Sequence, residues 1–303
     1  KEKITRVLEG AILGNMFFEP STRTRISFGA SFNLLGGNVR EITEVGSSSL
    51  AKGESLADTA QVLSGYSDII VLRHPENGSV QKFAEASRAP VINAGDGSNE
   101  HPSQALLDLY TIQKELSQNK KNLDNLRIAL VGDLKYGRAV HSLCKILSKY
   151  SNVKMDLVSP EELQLPEDLL NQLTDAGVSV NQTENLEEGI SEVDIIYVTR
   201  VQEERFNNKE DANKYRGLLS LNQSIYTANC EPNTVIMHPL PRDSRSDANE
   251  LDRDLYANPN LAIFRQADNG VVIRMAMFAL VLGVEDKIEN TAKPVNWKVG
   301  LSS

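Results

Sequence analysis

Short apolar runs, each ending in a turn rich in hydroxyl, glycine or arginine residues and followed at once by helical periodicity, recur along this chain. They leave few folds open to it. The first is Ala11-Ile-Leu-Gly-Asn-Met-Phe-Phe18, apolar enough for a buried strand, then the turn Glu19-Pro-Ser-Thr-Arg-Thr24. Phe28, Phe32 and Leu35 then recur at helical spacing until Gly36-Gly37 stops them. Asp68–Leu72 leads into Arg73-His-Pro75, and Pro90–Asn93 into Ala94-Gly-Asp-Gly-Ser98. A helix starts at Pro102, with Ala105, Leu109, Ile112 and Leu116 as its buried face. After the polar run Ser117 to Asn125, which reads as a hinge, a second block opens. It has a strand Leu126–Val131, a loop Gly132 to Gly137 and a helix through Leu147. Further strands are expected at Lys154–Val158, Asp194–Thr199, Thr234–Met237 and Leu261–Phe264, with a helix over Asn269 to Val284. Strands alternating with helices predict an α/β protein of two doubly wound domains, each a mostly parallel sheet flanked by helices. In such sheets ligands bind beyond the strand C-termini, where nearly every unusual cluster of this chain falls.

Bulk properties narrow the function classes. A chain of 303 residues accommodates two domains with cores of their own. The net charge of −9 disfavours a general nucleic-acid binder, and any anion site must gather its positive groups locally. Met275 to Val284, the longest apolar stretch, is too short to span a bilayer. Cys144 and Cys230 have neither CxxC nor CxxH spacing, which argues against a disulfide framework or a zinc site. No basic, apolar leader opens the chain, so a cytoplasmic location is expected, and Asn77, Asn181 and Asn222 in Asn-x-Ser/Thr triplets are read as chance matches. The first residue is Lys1 rather than Met, so a few residues are expected to precede it.

Phe17-Phe-Glu-Pro-Ser-Thr-Arg-Thr-Arg25 carries the strongest chemistry. The free N–H groups and dipole of a helix start favour an anion. Ser21, Thr22 and Thr24 add hydroxyl donors, and Arg23 adds a fork suited to phosphate. A Ser-Thr pair alone would be an ordinary N-cap; two arginines and three hydroxyls after a buried strand turn the balance toward an anion site. In His101-Pro-Ser-Gln104, His101 and Gln104 are one helical turn apart, and a helix N-terminus favours a neutral imidazole that donates to a carbonyl. Alone, His101 reads as a turn-packing histidine and Arg73 equally well as a surface arginine. Gly132-Asp-Leu-Lys-Tyr-Gly-Arg138-Ala nearly matches a P-loop, but Arg replaces the lysine and Ala the Ser/Thr, so ATP binding is a poor reading. No Gly-x-Gly-x-x-Gly follows the strand either. Ser47-Ser-Ser-Leu-Ala-Lys-Gly-Glu54 reads locally as a loop, Thr199-Arg-Val-Gln-Glu-Glu-Arg205 as a charged surface helix start, and His238-Pro-Leu-Pro-Arg242 as a rigid turn.

Phe18-Glu-Pro-Ser-Thr-Arg-Thr-Arg25 resembles the carbamoyl-phosphate signature of the aspartate and ornithine carbamoyltransferase family. The resemblance continues through His101-Pro-Ser-Gln104, Gly132 to Arg138 and His238 to Arg242, in order along almost the whole chain. It implies a carbamoyl-phosphate-binding domain over residues 1–118, completed by a C-terminal helix 271–303, and an aspartate-binding domain over 119–270. By resemblance, Ser21, Thr22, Arg23, Thr24, Ser49, Lys52, Arg73, His101, Gln104, Pro239 and Leu240 bind carbamoyl phosphate. Thr24, Arg73 and His101 would polarise the carbamoyl carbonyl, and Gln104 with the carbonyls of Pro239 and Leu240 would accept from the carbamoyl amine. Lys52, Arg138, Arg200 and Gln202 would bind aspartate, with Arg138 on the α-carboxylate and Arg200 on the β-carboxylate. Lys52 joins Thr24, Arg73 and His101 as the expected catalytic set, while Glu19 and Arg205 would brace domain closure. Ornithine enzymes carry His-Cys-Leu-Pro where His238-Pro-Leu-Pro241 stands here, and the absence of that cysteine points to aspartate. Asp268, in Gln266-Ala-Asp-Asn-Gly270, falls where some members carry glycine, and the helix around it is read as structural.

The resemblance also implies a homotrimer whose sites are shared between subunits, through a loop carrying Ser49 and Lys52. No metal or cofactor is expected. Lys135-Tyr136 resembles members that pair with zinc-bearing regulatory chains, which makes such chains candidate partners. The activity implied joins carbamoyl phosphate to L-aspartate, an early committed step of pyrimidine biosynthesis. The alternatives are ornithine carbamoyltransferase and, from another class, a non-catalytic phosphate or nucleotide binder.

Overall fold

The computed structural model describes residues 3–43, 53–206 and 208–296. The chain divides into two units, Lys1–Ser103 with Gly270–Ser303, and Gln104–Asn269. The first division falls inside a helix, whereas the sequence sets the boundary in the polar run after it.

The first unit holds a four-stranded parallel sheet of β2 (Ile12–Phe17), β3 (Asn38–Ile42), β4 (Ile69–His74) and β5 (Val91–Asp96), in the order β3-β2-β4-β5. A short antiparallel ribbon pairs β1 (Lys3–Ile4) with β11 (Lys293–Pro294). Helix α1 (Thr22–Leu34) packs Phe28 and Phe32 on one face of the sheet, against Leu13, Ile69 and Val71. Helices α2 (Leu56–Leu63) and α3 (Ser79–Ala86) cover the other face, with Ala60, Val80 and Phe83 against Met16, Ile70 and Leu72. Phe278 of the long α10 (Ile263–Val281) meets Phe32 and Phe28 edge to face at 4.9 and 5.8 Å, closing the first core. The strand order reverses at β2 and β4, so their C-terminal ends open the crevice expected of a doubly wound sheet.

The second unit has five parallel strands, β6 (Arg127–Gly132), β7 (Lys154–Val158), β8 (Ser179–Thr183), β9 (Ile195–Thr199) and β10 (Val235–Met237), in the order β10-β9-β6-β7-β8. Helices α4 (Pro102–Gln118), α5 (Arg138–Leu147) and α6 (Glu167–Asp175) bury Ile112, Leu116, Leu143 and Leu173 on one face. The opposite face carries α7 (Leu186–Gly189) and α9 (Gln223–Asn229), with Leu186 and Tyr226 in the core. The short α8 (Lys209–Ala212) and α11 (Ile288–Thr291) complete the helices. Reversal here occurs between β6 and β9, so the loops after Gly132 and Thr199 flank the second crevice. No single helix among the described residues is long and apolar enough to cross a membrane.

Two local expectations need correction, and two edge strands are additions. Leu261–Phe264 is not a strand: Leu261 makes one bridge to Ile236, and α10 begins at Ile263. A four-residue apolar run is too short for its periodicity to separate a strand from a helix start, and here Leu261, Ala262 and Ile263 are buried while Phe264 is exposed. The helix expected from Asn269 to Val284 accordingly starts earlier and ends at Val281, before Gly283 at φ +63°. The edge strands β3 and β8 carry no apolar run, because their polar side chains face solvent.

Candidate active site

In the first unit, β2 delivers Glu19-Pro-Ser21 to the start of α1. The β2–β4 register sets Phe17 beside Arg73, and the Phe18 N–H donates to the Arg73 carbonyl at 2.9 Å. Ser21 takes an extended N-cap conformation, but its hydroxyl makes no capping hydrogen bond, and the first turn holds no acidic residue. The N–H groups and hydroxyls of this turn therefore present donors, with Arg23 exposed and Thr24 buried. Arg25 turns aside to Glu41 of β3, 3.8 Å away, while Asn15 Nδ2 donates to its carbonyl. Arg73 is buried, and its Nε and a terminal nitrogen contact Glu19 Oε2 at 2.9 and 2.8 Å. This charge-assisted pair fixes the guanidinium plane at the end of β4. His101 is buried with Nδ1 3.4 Å from the Ser103 hydroxyl. Since β2, β4 and β5 are parallel, Ser21–Thr24, Arg73 and the turn leading to His101 all leave the same edge of the sheet.

The second unit builds a different site at its own switch point. Gly132 adopts φ +115°, and a Cβ there would lie 2.1 Å from the Thr199 carbonyl, so only glycine lets the two strand ends meet so closely. The fully buried Asp133 ties the two loops together: one oxygen accepts from the Tyr136 N–H, the other from the Gln202 N–H, both at 2.9 Å. Burial pushes its carboxyl up, and the backbone donors pull it back. Arg138 opens α5, and Arg200 follows β9. Arg200 is held by Glu204, with contacts of 3.0 and 2.5 Å, and by the Val201 carbonyl at 2.9 Å. Gln202 Nε2 reaches the Arg200 carbonyl at 3.3 Å, and the Arg205 N–H donates to the Gln202 carbonyl.

Glu203 and Glu204, expected as spare surface charge, are both engaged. Glu203 binds Arg216 through Oε1 at 2.7 Å and Oε2 at 3.0 Å, and Arg245 at 2.6 Å. Arg216, backed by Arg245, holds its carboxyl down at about 2. The pair sets the loop after Thr199 against the loop after β10.

That last loop, His238-Pro-Leu-Pro-Arg242, carries a cis Leu240–Pro241 bond and a left-handed Leu240 at φ +57°. Its anchor is the His238 ring, 1% exposed. The Leu240 N–H donates to Nδ1 at 2.8 Å, so the ring proton sits on Nε2, which donates to Glu250 Oε1 at 2.8 Å. Burial lowers the pKa of His238 against the opposing pull of Glu250, consistent with a neutral ring. The Pro239 and Leu240 carbonyls are thus carried on a turn braced at both ends, since Glu250 also accepts from the Asp243 N–H. Of the residues expected at the site, Ser49 and Lys52 lie outside the described residues.

Both units match family models. Residues 1–114 match the aspartate/ornithine carbamoyltransferase carbamoyl-P binding domain, and residues 124–281 match the Asp/Orn binding domain of the same family. Aspartate carbamoyltransferase catalytic subunits of Saccharophagus degradans and Cellvibrio japonicus are each 66% identical to it, over 98% of this chain and 88% of theirs. Among solved structures, the catalytic subunit of the M. jannaschii aspartate transcarbamoylase matches with TM-score 0.82 and 44% identity, over 93% of this chain and 88% of that one. The Trypanosoma cruzi aspartate transcarbamoylase in complex with carbamoyl phosphate and aspartate matches with TM-score 0.83 and 37% identity, over 93% and 86%. The chain belongs to the aspartate/ornithine carbamoyltransferase family.

Proposed function

We propose that this chain transfers the carbamoyl group of carbamoyl phosphate to the amino group of L-aspartate, giving N-carbamoyl-L-aspartate and phosphate. What supports the reading is that each unit, taken by itself, ends its sheet in a turn suited to an anion, the two being of different character. One is a helix start crowded with hydroxyls and arginine; the other presents Arg138 and Arg200 at a sheet switch point. A dicarboxylic amino acid occupies two guanidinium groups, whereas ornithine would bring an ammonium toward one of them. Relatives named for aspartate support the same choice.

In this reading Ser21, Thr22, Arg23 and Thr24 hold the phosphoryl group, with Ser49 and Lys52 joining from the loop of a neighbouring subunit. Carbamoyl phosphate binds first. Thr24, Arg73 and His101 stabilise the oxyanion that forms when the amine attacks, each such donor being worth roughly 3 kcal/mol. Gln104 and the carbonyls of Pro239 and Leu240 accept from the carbamoyl amine. Arg138, Arg200, Gln202 and Lys52 place aspartate, and positioning of this kind lowers a barrier by about 7–11 kcal/mol. Carbamoyl phosphate is already an activated acyl donor, so the reaction calls for no cofactor. The departing phosphate takes the proton released by the amine. Glu19 and Arg205 stabilise the closed form of the enzyme.

The proposal extends to a homotrimer with shared sites. Two unpaired cysteines suit a reducing cytoplasm, where the product would feed pyrimidine synthesis. Zinc-bearing regulatory chains rest on Lys135-Tyr136 alone. The test is phosphate release from carbamoyl phosphate with aspartate and, separately, with ornithine. Turnover with aspartate only is expected; turnover with ornithine only, or tight nucleotide binding with no turnover, overturns the reading.

A further inference from the structure

We infer that Asp108, a residue outside the expected site, is the positioning residue that sets how the enzyme reads the amine of the carbamoyl group; this rests on the function proposed above. Asp108 is fully buried in α4, one turn after Gln104. Its Oδ1 accepts from Gln104 Nε2 at 2.9 Å and from Gln266 Nε2 at 2.6 Å, and its Oδ2 accepts from the Tyr197 hydroxyl at 2.7 Å. Gln266 in turn accepts the His238 N–H through Oε1 at 2.9 Å, and His238 Nδ1 accepts the Leu240 N–H. One carboxylate thus stands at the head of two arms, one ending at Gln104 and the other at the turn of Pro239 and Leu240.

The consequence follows from donor and acceptor bookkeeping. A carboxylate accepts and does not donate, so it holds the NH2 of Gln104 toward itself and leaves Oε1 facing the other way. The same constraint orients Gln266, whose free oxygen then fixes the backbone of His238. Three acceptors are therefore presented together: Gln104 Oε1 and the carbonyls of Pro239 and Leu240. A carbamoyl NH2 satisfies them with its two hydrogens, while a methyl group of the same size leaves them unpaired. Without Asp108, the Gln104 amide is free to rotate and offer a donor to a donor.

The probes are phosphonoacetamide and phosphonoacetone, which differ only in NH2 against CH3, with inorganic phosphate as control; calorimetry gives the affinities. Wild type is expected to prefer the amide. Asp108→Ala should cut that preference roughly ten-fold or more, the scale of a buried acceptor left unpaired, while phosphate affinity is retained. Asp108→Asn should restore most of it, because its carbonyl can face both glutamines and its NH2 can face Tyr197, whose hydroxyl turns acceptor. Should Asp108→Ala not fold, Gln266→Leu cuts only the arm to His238 and should lose part of the preference. Folded Asp108→Ala or Gln266→Leu protein with the wild-type preference overturns the proposal. So does wild type that turns over aspartate yet shows no preference for the amide. Wild type with no turnover at all instead overturns the function on which the proposal rests.

Discussion

Gly132→Ala tests how the second sheet places its arginine. Gly132 ends β6 directly beside Thr199 in the parallel ladder, and Arg200 is the next residue. An added Cβ would sit 2.1 Å from the Thr199 carbonyl oxygen, against the 3.0 Å below which real Cβ atoms are essentially never found. The two strand ends must therefore part by about 0.9 Å. The φ of +115° adds backbone strain of about 1–2 kcal/mol for an L-residue. A shift of roughly 1 Å in a positioning group costs on the order of a hundred-fold in rate. Steady-state kinetics at saturating carbamoyl phosphate should show kcat/KM for aspartate falling by about that factor. Inorganic phosphate binding, which reports on the first unit, should stay near wild type. A folded variant that keeps wild-type kcat/KM for aspartate would refute the link between this glycine and Arg200.

Other outcomes follow from the same structure. Phe278→Ala removes a fully buried ring packed edge to face on Phe28 and Phe32, and should cost about 3–5 kcal/mol in urea denaturation of the first unit; a loss below about 1 kcal/mol contradicts its place in the core. Glu203, held at about 2 against an ordinary 4.5, stabilises the folded state fully above 4.5, and that contribution fades as pH falls from 4.5 toward 2. Urea midpoints measured across that window should fall more steeply for wild type than for Glu203→Gln; parallel curves would deny the ion cluster with Arg216 and Arg245. Mixing Arg23→Ala with Lys52→Ala subunits should restore some activity once subunits exchange, and no recovery after confirmed exchange rules out a shared site.

What could be read in advance depended on whether the partners of a residue were near it in sequence. Ser21, Thr22, Arg23 and Thr24 are contiguous behind a buried strand, so their gathering at one helix start needed no tertiary information. The doubly wound order likewise follows from strands alternating with helices, and it predicts which loops flank each crevice. The buried carboxylates were invisible for the opposite reason. Asp133 meets the Gln202 N–H and Asp108 meets Tyr197 across long stretches of chain, and no local pattern signals either contact. One clue existed: Asp108 sits beside the apolar stripe of Ala105, Leu109 and Ile112, and a buried acid must find donors. Glu203 and Glu204 looked like solvated charge because Arg216 and Arg245 come to Glu203 from distant segments. The apolar run at Leu261 to Phe264 is too short to show the period that tells strand from helix, and its exposed Phe264 is indistinguishable in sequence from a core residue.

The account stands on one enzyme gripping a phosphoryl group with its first unit and a dicarboxylic amino acid with its second. Calorimetry with a bisubstrate mimic that joins a phosphonate to a succinate measures both grips at once. It should bind once per chain, and Arg23→Ala and Arg200→Ala should each weaken it by roughly thirty-fold or more, the cost of breaking a charged hydrogen-bonded contact. Failure of the folded wild type to bind it, or undiminished affinity in both variants, would contradict the account.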